Sequence, residues 1–257
     1  MFWINPYKAF ECNSEIIEYD IKAGNASVSK DYKLIPESLA DEWLGMDGNQ
    51  RKVVCGLYQR DHKDYARRLE ECFDDAVNKF IKINSLDKDE DIISIKRDAI
   101  FVQNKNILHE HISDNIHFRP KNSYHAYLFL KDLKKIPYEF YFLRNKDIDI
   151  KGIKDEMKEK HKNGIIYLLN ELVEVAEKNG MSRRAINLFM KDIVYMYKRK
   201  ELIYDCYKTF NKFEAVFNIF MEGERFSLEE IDEDMIEFLN ISYNYLNVIM
   251  PLQQTVC

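Results

Sequence analysis

The chain has 257 residues, of which 46% are hydrophobic and 13% aromatic, and its formal net charge is −6. This length and hydrophobic content are enough for a sizeable core in one large or two small domains, which excludes wholesale disorder. The negative charge excludes a globally basic nucleic-acid binder, so any contact with nucleic acid has to come from local basic clusters.

The five cysteines are odd in number and widely spaced, and no two of them form a C-x-x-C pair. This pattern favours reduced thiols in the cytoplasm and argues against a zinc site. No apolar run reaches the roughly 18 residues of a membrane span, and the aromatic N-terminus has no signal-peptide pattern. The richness in Ile, Lys, Asn, Asp and Tyr indicates an AT-rich genome. We therefore expect a bacteriophage or low-GC bacterial source, with the host cytoplasm as the location if viral.

Residues 1–150 have the pattern of a mixed α/β region. An apolar segment at residues 15–22 predicts a strand, a short turn leads from it into a helix, and Pro36 starts a further helix. Apolar spacings of three and four over residues 47–83 predict one or two amphipathic helices, broken near Asp61. Strands are then predicted at 92–96, 99–102, 116–119, 124–130 and 138–143, with Asn104-Lys-Asn and Arg119-Pro-Lys-Asn as turns between them.

Residues 151–257 have a helical pattern almost to the end. Helices are predicted at about 153–178, 182–199, 203–220 and 228–249. The expected class is therefore α+β, with an antiparallel sheet and helices in residues 1–150 and a helical region in residues 151–257. The apolar side of the last helix is either core or a docking surface for another subunit. As a docking surface, it would expose Tyr243, Leu246, Ile249 and Met250 to a partner, and this is what we expect.

Two aspartates lie within apolar, β-branched segments, Asp20 in the first strand and Asp98 between the strands at 92–96 and 99–102. An ionised carboxylate there is costly unless it is paired or binds a cation. On neighbouring strands the two would form a two-metal site for Mg²⁺ or Mn²⁺, suited to phosphoryl or nucleotidyl transfer. Glu18 shares a strand face with Asp20 and is a candidate auxiliary ligand. The alternative is that each aspartate caps a turn.

Three segments occur in the order of a known constellation: EYDIKAGNAS at Glu18–Ser27, RKVVCGLY at Arg51–Tyr58 and SIKRDAIFV at Ser94–Val102. Together they resemble the palm of the DNA polymerase I group and of single-subunit phage-type RNA polymerases. The resemblance covers about residues 15–105. It implies that Asp20 and Asp98 are the catalytic metal ligands of a nucleic-acid polymerase.

Basic residues near this region are candidate nucleotide and phosphate contacts. Arg51 and Lys52 are placed to hold triphosphate oxygens and Tyr58 to stack on a base, provided that their helix faces the aspartates. Lys96 and Arg97 are candidates to touch primer phosphates or to lower the pKa of Asp98. The alternative for the helix is a solvent-exposed amphipathic face.

The C-terminal helices carry a second candidate nucleic-acid contact, formed by Arg183, Arg184, Lys191 and Lys198. Positions 184, 191 and 198 are seven residues apart and therefore share one helix face, which could follow a nucleic-acid backbone as a polymerase thumb does. A solvated helix face is the alternative. His109, His111 and His117 do not match the helical His-Glu-x-x-His spacing, which argues against a metal site.

The leading hypothesis is a divergent or split phage-type nucleotidyltransferase that supplies the palm subunit of a polymerase. Only 77 residues separate Asp20 from Asp98, too few for a complete nucleotide-closing subdomain, so we expect a second protein subunit or a homo-oligomer. One alternative is a non-catalytic palm-derived subunit of a phage or defence system that binds nucleic acid or a partner protein. Another is an unrelated structural subunit, for which the aspartates are incidental.

Overall fold

The computed structural model describes residues 2–131, 137–152, 155–203, 206 and 233–253; at 155–162, 233–234 and 247–253 it describes the backbone alone. The chain divides into two compact units, Met1–Pro6 with Glu15–Ser123 and Tyr7–Ser14 with Tyr124–Cys257. Both combine antiparallel strands with helices, which confirms the α+β class. Residue 150, the predicted boundary, lies inside the second unit, whose strands share a core with the C-terminal helices.

In the described residues, nine strands form two sheets. In chain order they are β1 Phe2–Ile4, β2 Phe10–Glu11, β3 Ile16–Ile21, β4 Ile92–Lys96, β5 Ala99–Gln103, β6 Phe118–Tyr124, β7 Ala126–Lys131, β8 Pro137–Phe142 and β9 Ile148–Lys151. The five-stranded sheet of the first unit has the order β1-β4-β5-β3-β6, and the four-stranded sheet of the second unit has the order β2-β7-β8-β9.

The centre of the first sheet confirms the predicted pairing of the two aspartate-bearing segments. β4 and β5 form an antiparallel hairpin, and β3 pairs with β5 in the antiparallel direction, with Asp20 opposite Ala99. The hairpin turns through Arg97 and Asp98, and Arg97 adopts a left-handed backbone with φ of 54°. The turn of the hairpin therefore lies beside the end of β3.

The prediction of a turn at Arg119-Pro-Lys-Asn was wrong, because these residues lie within β6. β6 flanks β3 at the edge of the sheet. An edge strand tolerates Pro120, since proline cannot donate a hydrogen bond to a second neighbour. The polar composition of this segment reflects its edge position, which the sequence pattern does not reveal.

Four helices complete the first unit: α1 Gly24–Asp31, α2 Glu37–Gly45, α3 Gly48–Asp61 and α4 Lys63–Ile83. The predicted break near Asp61 is confirmed, because His62 separates α3 from α4. α4 is strongly amphipathic, and its buried side chains Leu69, Phe73 and Phe80 pack in the core with Ile95 and Ile100 of the hairpin. This packing presses the longest helix of the unit against the strands that carry the aspartates.

Three helices of the described part of the second unit contribute to the core formed with its sheet: α5 Asp155–Lys178, α6 Arg183–Lys198 and α7 Glu233–Gln253. Alternate strand residues such as Leu128, Phe140 and Ile148 share one core with Leu172 and Phe238 of these helices. β9 was not predicted, and the predicted helix at 203–220 lies largely outside the described residues.

The prediction that α7 exposes Leu246 was wrong. Leu246 is 1% exposed and belongs to the core of the second unit, and Tyr243 is partly buried against the same core. The side chains of Ile249 and Met250 lie outside the described residues. The apolar side of α7 thus serves the fold at the positions that are described.

Four cysteines, Cys12, Cys55, Cys72 and Cys206, are free thiols, and Cys257 lies outside the described residues. Burial raises the pKa of the Cys55 thiol to about 11. Its thiolate is therefore scarce at neutral pH, and Cys55 acts as a small core residue.

Phe80→Ala is expected to lower the free energy of unfolding by about 3–5 kcal/mol, because it leaves a cavity in the core. The Phe80 ring lies 4.2 Å from that of Phe118 and 5.8 Å from that of Tyr19, centroid to centroid. The control Ile83→Ala removes an aliphatic side chain that is 46% exposed on the same helix, and should cost at most about 1 kcal/mol. Equal midpoint shifts in urea would contradict the assignment of Phe80 to the core.

Candidate functional site

Three carboxylates, which we call the acidic cluster, lie on the central strands of the first unit: Glu18 and Asp20 of β3 and Asp98 of the β4–β5 turn. The backbone amide of Ile21 donates a hydrogen bond of 3.1 Å to the carbonyl oxygen of Asp98, which attaches the turn to the end of β3. The two predicted catalytic aspartates are thus neighbours across one strand pairing.

Asp98 is mostly buried, and its pKa is raised above the ordinary value. Desolvation is the main cause, and the negative charge of Asp20 raises the pKa further, against the opposing effects of its own backbone amide, Arg97 and Lys121. Among the described residues, no ion pair to Asp98 is present. This carboxylate therefore holds its negative charge at a cost, which a bound cation would relieve.

Gly24, the first residue of α1, makes room for Asp98. A Cβ atom at this position would lie 3.0 Å from Asp98 Oδ2 and 3.3 Å from a ring carbon of Phe73. Any side chain here would force one of these groups to move. The glycine therefore allows the N-terminus of α1 to approach the carboxylate closely.

Glu18 and Asp20 are paired with cations from β6. Lys121 Nζ lies 3.0 Å from Glu18 Oε1 and 3.6 Å from Asp20 Oδ2, and Arg119 Nε lies 3.1 Å from Asp20 Oδ1. Asn122 donates a hydrogen bond of 2.7 Å to the other oxygen of Glu18. Because Lys121 reaches both carboxylates, Glu18 and Asp20 share a face of β3, as their spacing predicted.

Because of these contacts, the carboxylates of the acidic cluster differ in how readily they can bind a metal ion. Both oxygens of Glu18 accept hydrogen bonds, and its side chain is 4% exposed. Burial alone would lower the pKa of Lys121, but the hydrogen bond and charge of Glu18, with Asp20, raise it. Glu18 therefore holds Lys121 as a charged group, while Asp98 and Asp20 remain the better candidates for a cation.

Arg119, Lys121 and Asn122 are site residues that the sequence did not indicate. They stand about a hundred positions from Glu18 and Asp20 in the chain. Arg119 and Lys121 are two residues apart, which is the spacing of side chains on one face of a strand and could have indicated them. Pro120 between them favoured a turn instead.

Arg97 attaches the hairpin turn to the helices. Its Nε lies 2.7 Å from Glu70 Oε1, its guanidinium lies 4.6 Å from the centre of the Phe73 ring, and its Nη2 donates to Gln59 Oε1 at 3.2 Å. Lys96 Nζ lies 3.9 Å from the centre of the Phe2 ring. Arg97 thus contributes to the position of Asp98, and its contact with primer phosphates stays a prediction.

The predicted nucleotide-binding residues lie on α3. Arg51 donates hydrogen bonds to the carbonyl oxygens of Trp43 and Leu44 at the end of α2, and Tyr58 stacks on the His62 ring at 4.0 Å. Lys52 is exposed. Among the described residues, none of the three is hydrogen-bonded or ion-paired to Asp20 or Asp98. α3 nevertheless reaches the hairpin turn through Gln59.

The second predicted contact lies on α6, in the other unit. Arg184, Lys191 and Lys198 are exposed there, and Arg183 is half-buried. In the first unit, the rings of His111 and His117 stack at 4.0 Å, and His117 pairs with Glu110 at 3.1 Å. Within the described part of the chain, no three His, Cys, Asp or Glu side chains are grouped to hold a metal.

A model of the family described as Bacteriophage PBS1 gene 130 protein matches residues 4–256. The chain belongs to this family. The description of the family supports a phage origin, one of the two sources that the composition indicated. No curated protein matches this member of the PBS1 gene 130 family. No helix in the described ranges has the length and apolar character needed to cross a membrane.

Lys121→Met is expected to lower the free energy of unfolding by about 1–3 kcal/mol, because it leaves buried Glu18 without its cation. The half-exposed lysine keeps the effect below that of a fully buried pair. The control Lys178→Met breaks the ion pair between Lys178, which is 74% exposed, and Glu174. It should hardly change the melting temperature. Comparable losses in the two variants would show that the Glu18 pair is an ordinary surface contact.

Asp98→Asn is expected to raise the melting temperature at neutral pH in the absence of divalent cations. Because the folded pKa of Asp98 is raised, the folded protein binds this proton more tightly, and stability falls as pH rises from the ordinary carboxyl pKa through the raised value. The gain should therefore disappear as pH is lowered toward about 4, where the wild-type carboxyl is protonated.

The control for this prediction is Asp41→Asn, which removes an exposed carboxylate paired with Lys30 at 2.6 Å. This variant should show no gain at neutral pH. Melting curves between about pH 4 and pH 8 span the relevant window. A gain for Asp98→Asn that is the same at every pH would mean that desolvation of the charge is not its cause.

Proposed function

We propose that this phage protein is a divergent or split nucleotidyltransferase, in which Asp20 and Asp98 bind divalent cations for phosphoryl transfer. One observation carries the proposal: Asp20, near the end of β3, lies opposite Ala99, next to Asp98 in the turn of the paired hairpin. The sequence resemblance to a polymerase palm requires this arrangement of strands. β3 and β5 are far apart in the chain, so their pairing is not a consequence of a short connection between them.

Electrostatics supports cation binding at this place. Asp98 is buried, has a raised pKa and responds to the charge of Asp20. Mg²⁺ and Mn²⁺ take carboxylate oxygens and keep several waters, so two aspartates suffice when substrate phosphates supply further oxygens. When bound, the cations would activate a hydroxyl nucleophile and stabilise the charge of the leaving pyrophosphate.

The basic residues of β6 fit the same proposal. Arg119 and Lys121 neutralise Asp20 while no cation is bound, at 3.1 and 3.6 Å. Their side chains are about half exposed, so both can turn toward the phosphates of a substrate once a cation takes their place. Arg119 offers a planar fork for two phosphate oxygens, and Lys121 a point charge.

The proposal includes a second polypeptide. The segment between Asp20 and Asp98 contains α1 to α4, strand β4 and their connections. α4, β4 and parts of α1, α2 and α3 belong to the core of the first unit. A separate nucleotide-closing subdomain would then come from a partner subunit or from a second copy of the chain.

A second candidate function is a non-catalytic, palm-derived subunit that binds nucleic acid or a partner protein. The ion pairs of Glu18 and Asp20 favour it, because cations supplied by the protein already occupy the place of a metal. In this case Arg119 and Lys121 are permanent partners of the carboxylates, and Asp98 is a buried polar residue of the turn.

The two candidates differ in their response to divalent cations. We expect Mn²⁺ to bind the wild-type chain, measured by the loss of its free electron paramagnetic resonance signal, and to raise the melting temperature. Asp20→Asn and Asp98→Asn should each weaken Mn²⁺ binding by about tenfold or more, because each removes a charged ligand. The control Asp41→Asn changes net charge equally at an exposed site and should bind Mn²⁺ as the wild type does.

Activity is tested with the same variants, using labelled nucleoside triphosphates, Mn²⁺ and primed DNA and RNA templates. With its partner subunit present, the wild type should incorporate nucleotide, and each aspartate variant should lose about 100-fold or more of the rate. If Mn²⁺ leaves the melting temperature of the wild type unchanged and no nucleotide is incorporated, the non-catalytic candidate replaces the proposal.

A further inference from the structure

A line of exposed side chains on α6 alternates between cationic and apolar. The line consists of Arg184, Leu188, Lys191, Tyr195 and Lys198. Their spacings of four, three, four and three residues place them on one helix face. We call this line the α6 stripe.

The core of the second unit fixes which side of α6 faces outward. Ile186, Met190, Ile193 and Tyr197 are buried in that core. Leu188 and Tyr195, on the outer side, are 51% and 61% exposed and lie in line with the three cations. Single exposed apolar residues are common on protein surfaces, but two of them between cations on one helix face form a surface that is both cationic and apolar.

The cations of the α6 stripe have no carboxylate partners among the described residues. Arg184, Lys191 and Lys198 take part in no ion pair there, whereas nearby Lys178 pairs with Glu174 and Arg199 with Glu201. The stripe spans about 21 Å, with about 10.5 Å between successive cations. Within α6 itself, the acid Asp192 is exposed beside the stripe. A row of unpaired cations attracts a polyanion.

Tyr195 adds a surface on which a base can stack. The guanidinium of Arg199 lies 5.2 Å from the centre of the Tyr195 ring, and this contact favours one ring orientation. Cations interleaved with an exposed ring and an apolar side chain are the combination that holds single-stranded nucleic acid through its phosphates and its bases. The bases of a duplex are stacked inside and leave Leu188 and Tyr195 without a partner.

We infer that the α6 stripe binds single-stranded nucleic acid, with Lys191, Lys198 and Arg184 on the phosphates and Tyr195 under a base. The inference is independent of the proposed catalysis, because it involves only residues of the second unit. The distribution of side chains argues against a membrane surface: an interfacial helix separates its cations from its apolar face, whereas here both share one line.

The test uses the full chain and a fluorescently labelled oligothymidine of about 16 nucleotides, with binding followed by anisotropy at several salt concentrations. Lys191→Glu with Lys198→Glu should weaken binding by about tenfold or more and reduce the salt slope by about 1.4, the loss of two phosphate contacts. The matched control, Lys63→Glu with Arg68→Glu, reverses two exposed cations of α4 and should leave both quantities near the wild-type values.

Stacking is tested at Tyr195. Tyr195→Ala should weaken binding of the oligothymidine by about tenfold without changing the salt slope, and Tyr195→Phe should retain most of it. Circular dichroism melting should show that these exposed substitutions leave the fold intact. Binding of the same-length duplex should be weaker than that of the single strand and insensitive to Tyr195→Ala.

Four results would overturn the inference. They are absence of oligothymidine binding at low salt, equal weakening by the α4 control, no effect of Tyr195→Ala on single-strand binding, and binding to phosphatidylserine vesicles without binding to the oligonucleotide. The last result would assign the α6 stripe to a membrane surface. The variants Asp20→Asn and Asp98→Asn should bind the oligothymidine as the wild type does. The test of the α6 stripe can therefore succeed even if the catalytic proposal fails.

Discussion

The first unit depends on how three negative charges are accommodated on two paired strands. Glu18 is almost fully buried and Asp98 largely so, and burial of an unpaired carboxylate is among the costliest events in folding. Lys121 and Asn122 donate hydrogen bonds to both carboxylate oxygens of Glu18, and these contacts require β6 to lie beside β3. Gly24 leaves space for the Asp98 side chain, and the contacts of Arg97 hold the turn in place. The charge of Asp98 has no ion-pair partner among the described residues.

The uncompensated charge of Asp98 is the point on which the two candidate functions differ. If a divalent cation neutralises Asp98 and Asp20, the ion pairs of β6 are a resting arrangement that substrate binding replaces. If no cation binds, the same ion pairs are permanent, and the acidic cluster is a structural element that ties three strands together. Both cases predict the same fold in the absence of a divalent cation, in which Lys121 bridges Glu18 and Asp20. They differ in whether a bound cation replaces these ion pairs and compensates Asp98.

Parts of the fold were predictable because local pattern and tertiary packing agree there. The hairpin and its pairing with β3 follow from two apolar segments, each with one aspartate among apolar residues. The separation of α3 from α4 follows from their apolar periodicity. β6 was not predictable, because an edge strand with Pro120 and four polar neighbours has the composition of a turn. The burial of Leu246 was missed because an apolar helix face looks the same whether it packs inward or awaits a partner.

By itself the sequence determined that the charges of Asp20 and Asp98 need compensation, because burial among apolar strand residues makes a carboxylate costly. It also determined that positions 184, 191 and 198 share one helix face, because the period of the α-helix is fixed. Tertiary structure alone decided which groups compensate and which apolar residues stay exposed. Arg119 and Lys121 meet Asp20 and Glu18 across about a hundred residues. Leu188 and Tyr195 face outward because Met190 and Tyr197 occupy the core, and a helix with apolar residues on several sides does not specify which side is buried.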